Sequence, residues 1–350
     1  MLNIPLILEA TDQVKSDPQS LPEAWIRKYT GIEDSPNQFL LFLKPEVMST
    51  EDGVNVRDVL QMVNEVILGY NVTVGAIRTV SGVYLSSHRL MDAHYGVINA
   101  VSRLGLKALS SGAQKKLDEV FGDILEESTL KLGGHQFLTH FPTFSGRELA
   151  KIVDGSPVTK LAGGTYASII VVDGEKVLVL NGFHPAQLEY YYRPSALLLL
   201  LECHTHTSWR SLRHDVAGAT NPKNAAEGSI RRLLLVNKNR LGIEEIDQGR
   251  NGVHLSAGPL EGFVELRRFL KDFKTHIDLK PNELSFGKAL INVGMSDEQI
   301  ASLCENPLVM LSDRLAPAFD VTEELDVTDA STLLASSHNF RSSISQQSPM

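Results

Sequence analysis

The sequence predicts an α/β sandwich whose sheet is partly antiparallel. Three observations carry this. Apolar runs of strand character alternate with segments of helical period, in the order expected of helices packed on a sheet. Two β-rich runs flank Asp173-Gly174 in TYASIIVVDGEKVLVLNGF, which reads as a hairpin and makes part of the sheet antiparallel. Neither G-x-G-x-x-G nor G-x-x-x-x-G-K-[ST] occurs, so the doubly wound dinucleotide fold and the P-loop are not signalled.

The elements follow in order. Residues 1–37 form a polar lead with one predicted helix, LPEAWIRKYTGI. FLLFLK is a short apolar strand that ends at Pro45, which has no amide hydrogen for a ladder. In VNVRDVLQMVNEVILGY the residues Val56, Val59, Leu60, Val63, Val66 and Ile67 share one helical face. NVTVGAIRTV alternates and reads as a strand, and SSHRLMDAHYGVINAVSRLG as a helix capped by Ser87. Residues 105–160 are mostly helical, with joints containing Gly and Pro, and lead to the hairpin. SALLLLLE is a buried strand, far too short to span a bilayer. SWRSLRHDVAG is a short helix stopped by Gly218, Ala219 to Asn251 is irregular, and GVHLS is the last short strand. PLEGFVELRRFLKDF is an amphipathic helix with Pro259 in its first turn. Two more helices lie in ELSFGKALINVG and SDEQIASLCENP, the second opened by a Ser296–Gln299 capping box. From about Thr322 the chain turns acidic and then serine-rich, which predicts disorder.

Composition narrows the function. A chain of 350 residues with 43% hydrophobic content can bury a sizeable core. A net charge of −9 argues against a nucleic-acid face, which needs an extended basic surface. Two cysteines, Cys203 and Cys304, do not make a disulfide framework, and a reducing compartment is the simplest reading. The N-terminus has no basic region before its apolar run and does not read as a signal peptide. A cytoplasmic protein without membrane or nucleic-acid partners is therefore expected.

Three stretches carry candidate chemistry. GATNPKNAAEGSIRR, from Gly218, presents Thr220, Asn221, Ser229, Arg231 and Arg232, the hydroxyls and guanidinium forks that bind phosphate oxygens, although an ordinary surface loop has the same composition. LKPE places Lys44 at the end of a buried strand. GRNGVHLSAG holds His254 in a short apolar run, where a histidine is a nucleophile, a ligand or simply a core residue. A fourth stretch, ECHTHTSW, offers Cys203, His204 and His206, but strand alternation separates Cys203 from the two histidines and no distant ligand pair is evident.

Together these stretches resemble the nucleoside diphosphate kinase family. The family's Lys-Pro on the first strand matches Lys44-Pro45, and its His-Tyr after the second strand matches His94-Tyr95. Its G-x-T-N-P, then G-[ST]-I-R after five residues, matches Gly218 to Pro222 and Gly228 to Arg231 with the spacing kept. Its G-R-N-x-x-H-x-S matches Gly249-Arg250-Asn251, His254 and Ser256, and its glutamate eleven residues after the histidine falls on Glu265.

The resemblance implies a ferredoxin-like βαββαβ core. It implies transfer of the γ-phosphate of a nucleoside triphosphate to a nucleoside diphosphate, in two steps through phospho-His254. In that scheme Glu265 orients His254, Arg231 and Thr220 bind phosphate, Lys44 and Asn251 hold the ribose hydroxyls near the leaving oxygen, and Tyr95 helps position His254 and the transferred group. Mg²⁺ arrives with the nucleotide, with no side-chain metal site, and the family forms homo-oligomers. The implied layout is an extension at 1–37, the kinase-like domain at 38–275 interrupted by an insertion at about 105–193, a helical extension at 276–321 and a disordered tail at 322–350.

This sequence also departs from the pattern. About ten extra residues separate Arg231 from Asn251. Leu255 stands where the family has Gly, and Ala257 where an acidic residue is usual. The second phosphate-binding arginine falls on His214, and Arg213 serves if the helix is shifted by one residue, with Arg210 a further candidate. The base-stacking aromatic has no counterpart among Val101, Arg103 and Leu104. Phe183 and Tyr190 to Tyr192 in the insertion are either its replacement or packing for the hairpin. A catalytically weakened nucleotide-binding regulatory or assembly protein on the same fold is the alternative.

Overall fold

The computed structural model describes residues 1–31, 35–49, 53–275, 278–311 and 314–337. The strands in chain order are β1 (Glu23–Arg27), β2 (Asn37–Leu43), β3 (Thr73–Ser81), β4 (Leu130–Gly133), β5 (Thr159–Ala162), β6 (Thr165–Val172), β7 (Glu175–Leu180), β8 (Leu197–Thr205), β9 (Val253–Leu255), β10 (Leu308–Met310) and β11 (Leu315–Pro317). They fall into two units, one built from the chain up to Tyr84 and from Pro194 onward, the other from Leu85–Arg193.

The first unit is organised by an antiparallel sheet in the order β1-β3-β8-β2-β9. Every residue of β2 and β8 is buried, so both faces of the sheet are covered. Alternation assigns the faces. Phe39, Leu41 and Leu43 share a core with Val56, Val59, Leu60 and Val63 of the helix Val56–Gly69. Phe42 points the other way and meets Phe269 of the helix Pro259–Phe269 at 5.8 Å between ring centroids.

Several expectations need correction here. LPEAWIRKYTGI is not a helix: its Glu23–Arg27 pairs antiparallel with β3. The helix of this region is Ile4–Ser16, and the side chain of its Asn3 cap accepts from the Leu6 amide. Arg78 decides the matter. Its Nε donates to Glu23 at 2.7 Å, and its guanidinium lies 4.5 Å over the Trp25 ring, a long-range arrangement that only a strand at this sheet edge can make. The 1–37 segment therefore completes the sheet.

The stretch Ala219 to Asn251 is not irregular throughout, because Ile230–Asn237 is a helix with Ile230, Arg231 and Leu234 buried. GVHLS is followed by one more pair of short strands, β10 and β11. The expected disordered tail contains the helix Val327–Ser336, which buries Val327, Ala330 and Leu334, an apolar i, i+3, i+7 stripe inside an acidic, serine-rich stretch. The remainder of that tail, 338–350, lies outside the described residues. The helices Ser285–Asn292 and Asp297–Leu303 form as expected, the latter with the Ser296–Gln299 capping box.

The second unit spans Leu85–Arg193. SSHRLMDAHYGVINAVSRLG does not run as one helix capped by Ser87. Helices end at Ser87, span Leu90–His94 and span Gly96–Leu104, with Arg89 in a left-handed conformation at the first break. The sheet order is β4-β7-β6-β5, and β6 and β7 form the expected hairpin across Asp173 and Gly174, both at positive φ. The aromatic run of the insertion lies in the helix His184–Tyr192. Tyr191 is buried, Phe183 meets Tyr166 edge-on at 5.8 Å, and Tyr190 lies 4.4 Å under the Arg193 guanidinium. No helix among the described residues is long and apolar enough to cross a membrane.

Candidate active site

The site grows out of the pairing of β9 with β2, which sets His254 opposite Phe42, Val253 opposite Leu43 and Leu255 opposite Leu41. Successive residues of a strand point to opposite faces, so Val253 and Leu255 enter the core while His254 emerges on the other side. The His254 ring stacks on Phe42 with centroids 4.6 Å apart and planes 22° apart. Leu255 therefore takes none of the space around the ring.

The helix Pro259–Phe269 starts four residues after β9 and returns Glu265 to the histidine. His254 Nε2 lies 2.8 Å from Oε1 and 3.0 Å from Oε2 of Glu265. The carboxylate is buried, and Ser256 Oγ donates to its Oε2 at 2.5 Å while accepting from the Leu40 amide at 3.1 Å. This arrangement assigns the proton to Nε2 and makes Nδ1 the ring nitrogen that Glu265 does not engage. The His254 side chain keeps 17% of its surface exposed, enough for a reagent to approach.

A second set of contacts ties the predicted phosphate loop to this strand. Lys44 Nζ donates to Asn251 Oδ1 at 2.7 Å, and Asn251 Nδ2 donates to the Thr220 carbonyl at 3.0 Å. Arg231 Nη1 donates to the Gly218 carbonyl at 2.6 Å and Nη2 to the Val253 carbonyl at 3.0 Å. Lys44, Thr220, Arg231, Asn251, His254 and Glu265 thus belong to one neighbourhood of the first unit, with the Thr220 side chain exposed. Gly252 lets the chain turn between Asn251 and β9: its φ is 82°, and a Cβ there would meet Leu234 at 2.3 Å. Burial brings the Lys44 ammonium down to about 8, with the carboxylate of Glu46 opposing the shift and the charge of Arg231 adding to it.

The helix beginning at Trp209 widens into a π turn over Leu212–Ala217, and each π turn adds about one residue relative to an α turn. Arg213 Nη1 reaches the Leu255 carbonyl, one residue past the histidine, at 3.3 Å. Its Nη2 is paired with Glu323 at 3.1 Å, and the neighbouring His214 is paired with Glu324 at 3.0 Å.

Glu261, one turn before Glu265, accepts from the Ala257 amide at 3.3 Å. It brings a carboxyl next to the Ala257 backbone. Burial pushes this carboxyl up to about 8, the nearby charge of Glu265 adds to the rise, and Arg213 opposes it.

Tyr95 belongs to the second unit, where its hydroxyl lies 3.2 Å from that of Tyr191. In ECHTHTSW, Cys203 is buried in the core and His204 pairs with Glu202 at 3.5 Å on the opposite face. A surface depression of about 490 Å³ is lined by Met1, Leu2, Arg57 and Gln61 and touches none of the predicted site residues.

Sequence reasoning missed Phe42, Glu261, Glu323 and the role of Ser256. Phe42 follows from strand register and Glu323 from a contact over more than a hundred residues, neither of which leaves a local signal. Glu261 had one, its i, i+4 spacing to Glu265 on an amphipathic helix. Compared with known proteins, the chain matches no family model and no curated protein.

Proposed function

We propose that this chain is a nucleoside diphosphate kinase-like phosphotransferase that carries the phosphoryl group on Nδ1 of His254. The observation that carries the reading is the His254–Glu265–Ser256 relay beside Phe42, in a neighbourhood that also contains Lys44, Thr220, Arg231 and Asn251. The strand order β3-β8-β2-β9, with the helix Val56–Gly69 between β2 and β3, supports a ferredoxin-like βαββαβ core.

In the first step Nδ1 attacks the γ-phosphorus of a Mg²⁺-bound nucleoside triphosphate. The N–P bond forms, the bond from phosphorus to the β,γ-bridging oxygen breaks, and the nucleoside diphosphate leaves with the electron pair. Glu265 accepts from the Nε2 proton and stabilises the positive charge that develops on the ring. In the second step a terminal oxygen of another nucleoside diphosphate attacks the phosphorus, the O–P bond forms, the N–P bond breaks with its electron pair returning to Nδ1, and neutral His254 is restored. Lys44 supplies positive charge close to the leaving oxygen, the exposed Thr220 donates its hydroxyl to phosphate, and Mg²⁺ enters as part of the substrate. The site contacts phosphate and sugar, which leaves base choice broad.

The experiment is labelling with γ-labelled ATP and Mg²⁺. Acid-labile, base-stable label on the wild type and none on His254→Ala is the expected result. Absence of label on the wild type would sink the kinase reading. One observation favours a second reading, a nucleotide-binding regulatory protein with slow turnover: both Nη atoms of Arg231 bond to carbonyls, and Arg213 is paired with Glu323. Tight nucleotide binding without phosphate exchange between nucleotides would select it.

A further inference from the structure

The chain supplies its own anions to the basic residues beside His254. Glu323 Oε1 lies 3.1 Å from Nη2 of Arg213, and Glu324 Oε1 lies 3.0 Å from Nε2 of His214. The backbone joins in, since the Glu324 amide donates to the Ala257 carbonyl at 3.0 Å. The approach is close: a Cβ at Gly258 would meet the Thr322 carbonyl at 2.5 Å and the Glu323 Cα at 3.1 Å. The segment therefore lies directly on the turn that follows His254 and Ser256.

Both ends of the segment are fastened. Thr322 is buried at the end of the helix Ala318–Thr322. Asp326 Oδ1 accepts from the Trp209 amide at 3.0 Å, immediately before the helix Val327–Ser336. Between them Glu324 sits at φ 59, a left-handed conformation that a non-glycine residue keeps only where its surroundings hold it. The ion pairs that hold it are themselves weak. The Glu323 side chain is 46% exposed and that of His214 is 56% exposed, and pairs this wet add little. A phosphate group offers Arg213 a stronger, bidentate partner than a half-exposed carboxylate.

We infer that residues 322–326 form an acidic cap over Arg213 and His214, which a phosphate-bearing ligand displaces when it binds beside His254. The inference rests on the phosphotransferase reading for the location of the ligand, and adds that ligand binding is opposed by the chain's own glutamates. The same contact explains why an arginine suited to phosphate is occupied in the chain described here.

The test uses the full chain and the double variant Glu323→Gln, Glu324→Gln, with Mg·ADP as the probe in titration calorimetry. Removing two partly exposed ion pairs predicts roughly fivefold tighter binding, and the gain should vanish when Arg213→Gln is added. Unchanged or weaker binding of Mg·ADP by the double variant would overturn the cap and leave the phosphotransferase reading standing. Absence of Mg·ADP binding by both chains would overturn both. Hydrogen exchange on the wild type is a second readout that needs no variant. Saturating Mg·ADP should speed exchange at the Glu324 amide, and slowed or unchanged exchange there counts against the cap.

Discussion

The Glu265 carboxylate and the His254 imidazole meet through Nε2 at 2.8 Å, and Ser256 holds the same carboxylate at 2.5 Å from the other side. A buried anion with two donors fixes the tautomer of the ring and its rotation at once. Glu265→Gln keeps the size of the side chain and removes its charge. If His254 carries the phosphoryl group as proposed, its phosphorylation should then slow by about tenfold to a thousandfold, the range expected for losing a positioned group that stabilises developing charge. Rapid-quench measurement of phosphohistidine formation checks this. An unchanged rate would remove Glu265 from the mechanism even if His254 is phosphorylated.

Leu255 is the residue at which the local sequence leaves the family pattern, and it lies on the face of β9 away from His254, buried in the core beside Leu41. Replacing it with the glycine that the resembled pattern carries should therefore cost stability and gain no activity. Removing a fully buried leucine side chain costs about 2–5 kcal/mol, and glycine in a strand adds about 0.5–1 kcal/mol. Urea unfolding of Leu255→Gly should show the loss in its midpoint. Faster turnover in this variant would contradict the assignment of faces.

Much of this was legible in the chain, for identifiable reasons. Strands β2, β8 and the hairpin declare themselves through apolar runs and through Asp173-Gly174, and the helix Val56–Gly69 through its stripe of valines. His254, Glu265, Asn251, Lys44, Arg231 and Thr220 stand out in the chain through a resemblance to known motifs, and the fold brings them into one neighbourhood. The β1 strand was illegible because the buried Arg78 pays for the pairing from 55 residues away. The π turn at Leu212–Ala217, and the pairing of Arg213 with Glu323, depend on hydrogen bonding and on contacts across the chain that no local window records.

Lys44 carries a pH signature with an unusual sign. Its folded value of about 8 lies below its ordinary 10.5, so between these values the unfolded chain binds more protons than the folded one. Stability from this group therefore rises with pH across the window from 8 to 10.5, by on the order of 2–3 kcal/mol, and is lost as pH falls through 8. Lys44→Met lacks this rise. Denaturation midpoints of the two proteins at pH 7 and pH 10 should show the variant relatively more stable at the lower pH. Parallel pH dependence in both would mean that the amine is not buried against Asn251 as described.

Glu261 should move in the opposite sense. Burial, reinforced by the charge of Glu265, raises its carboxyl from the ordinary 4.5 to about 8, and Arg213 offsets only part of this. A carboxyl raised on folding contributes stability that is complete below 4.5 and is lost as pH climbs through 8. At pH 9 the folded chain carries a half-buried anion whose charge is opposed by that of Glu265, with Glu323 adding a further negative group nearby. Glu261→Gln removes the titration and keeps an acceptor for the Ala257 amide. The variant should match the wild type near pH 5 and exceed it by on the order of 1–3 kcal/mol near pH 9. Urea melts at the two values are sufficient. A wild type that holds its stability from pH 5 to 9 as well as Glu261→Gln does would show that Glu261 ionises at its ordinary value, with the negative charge beside Glu265 tolerated at no cost.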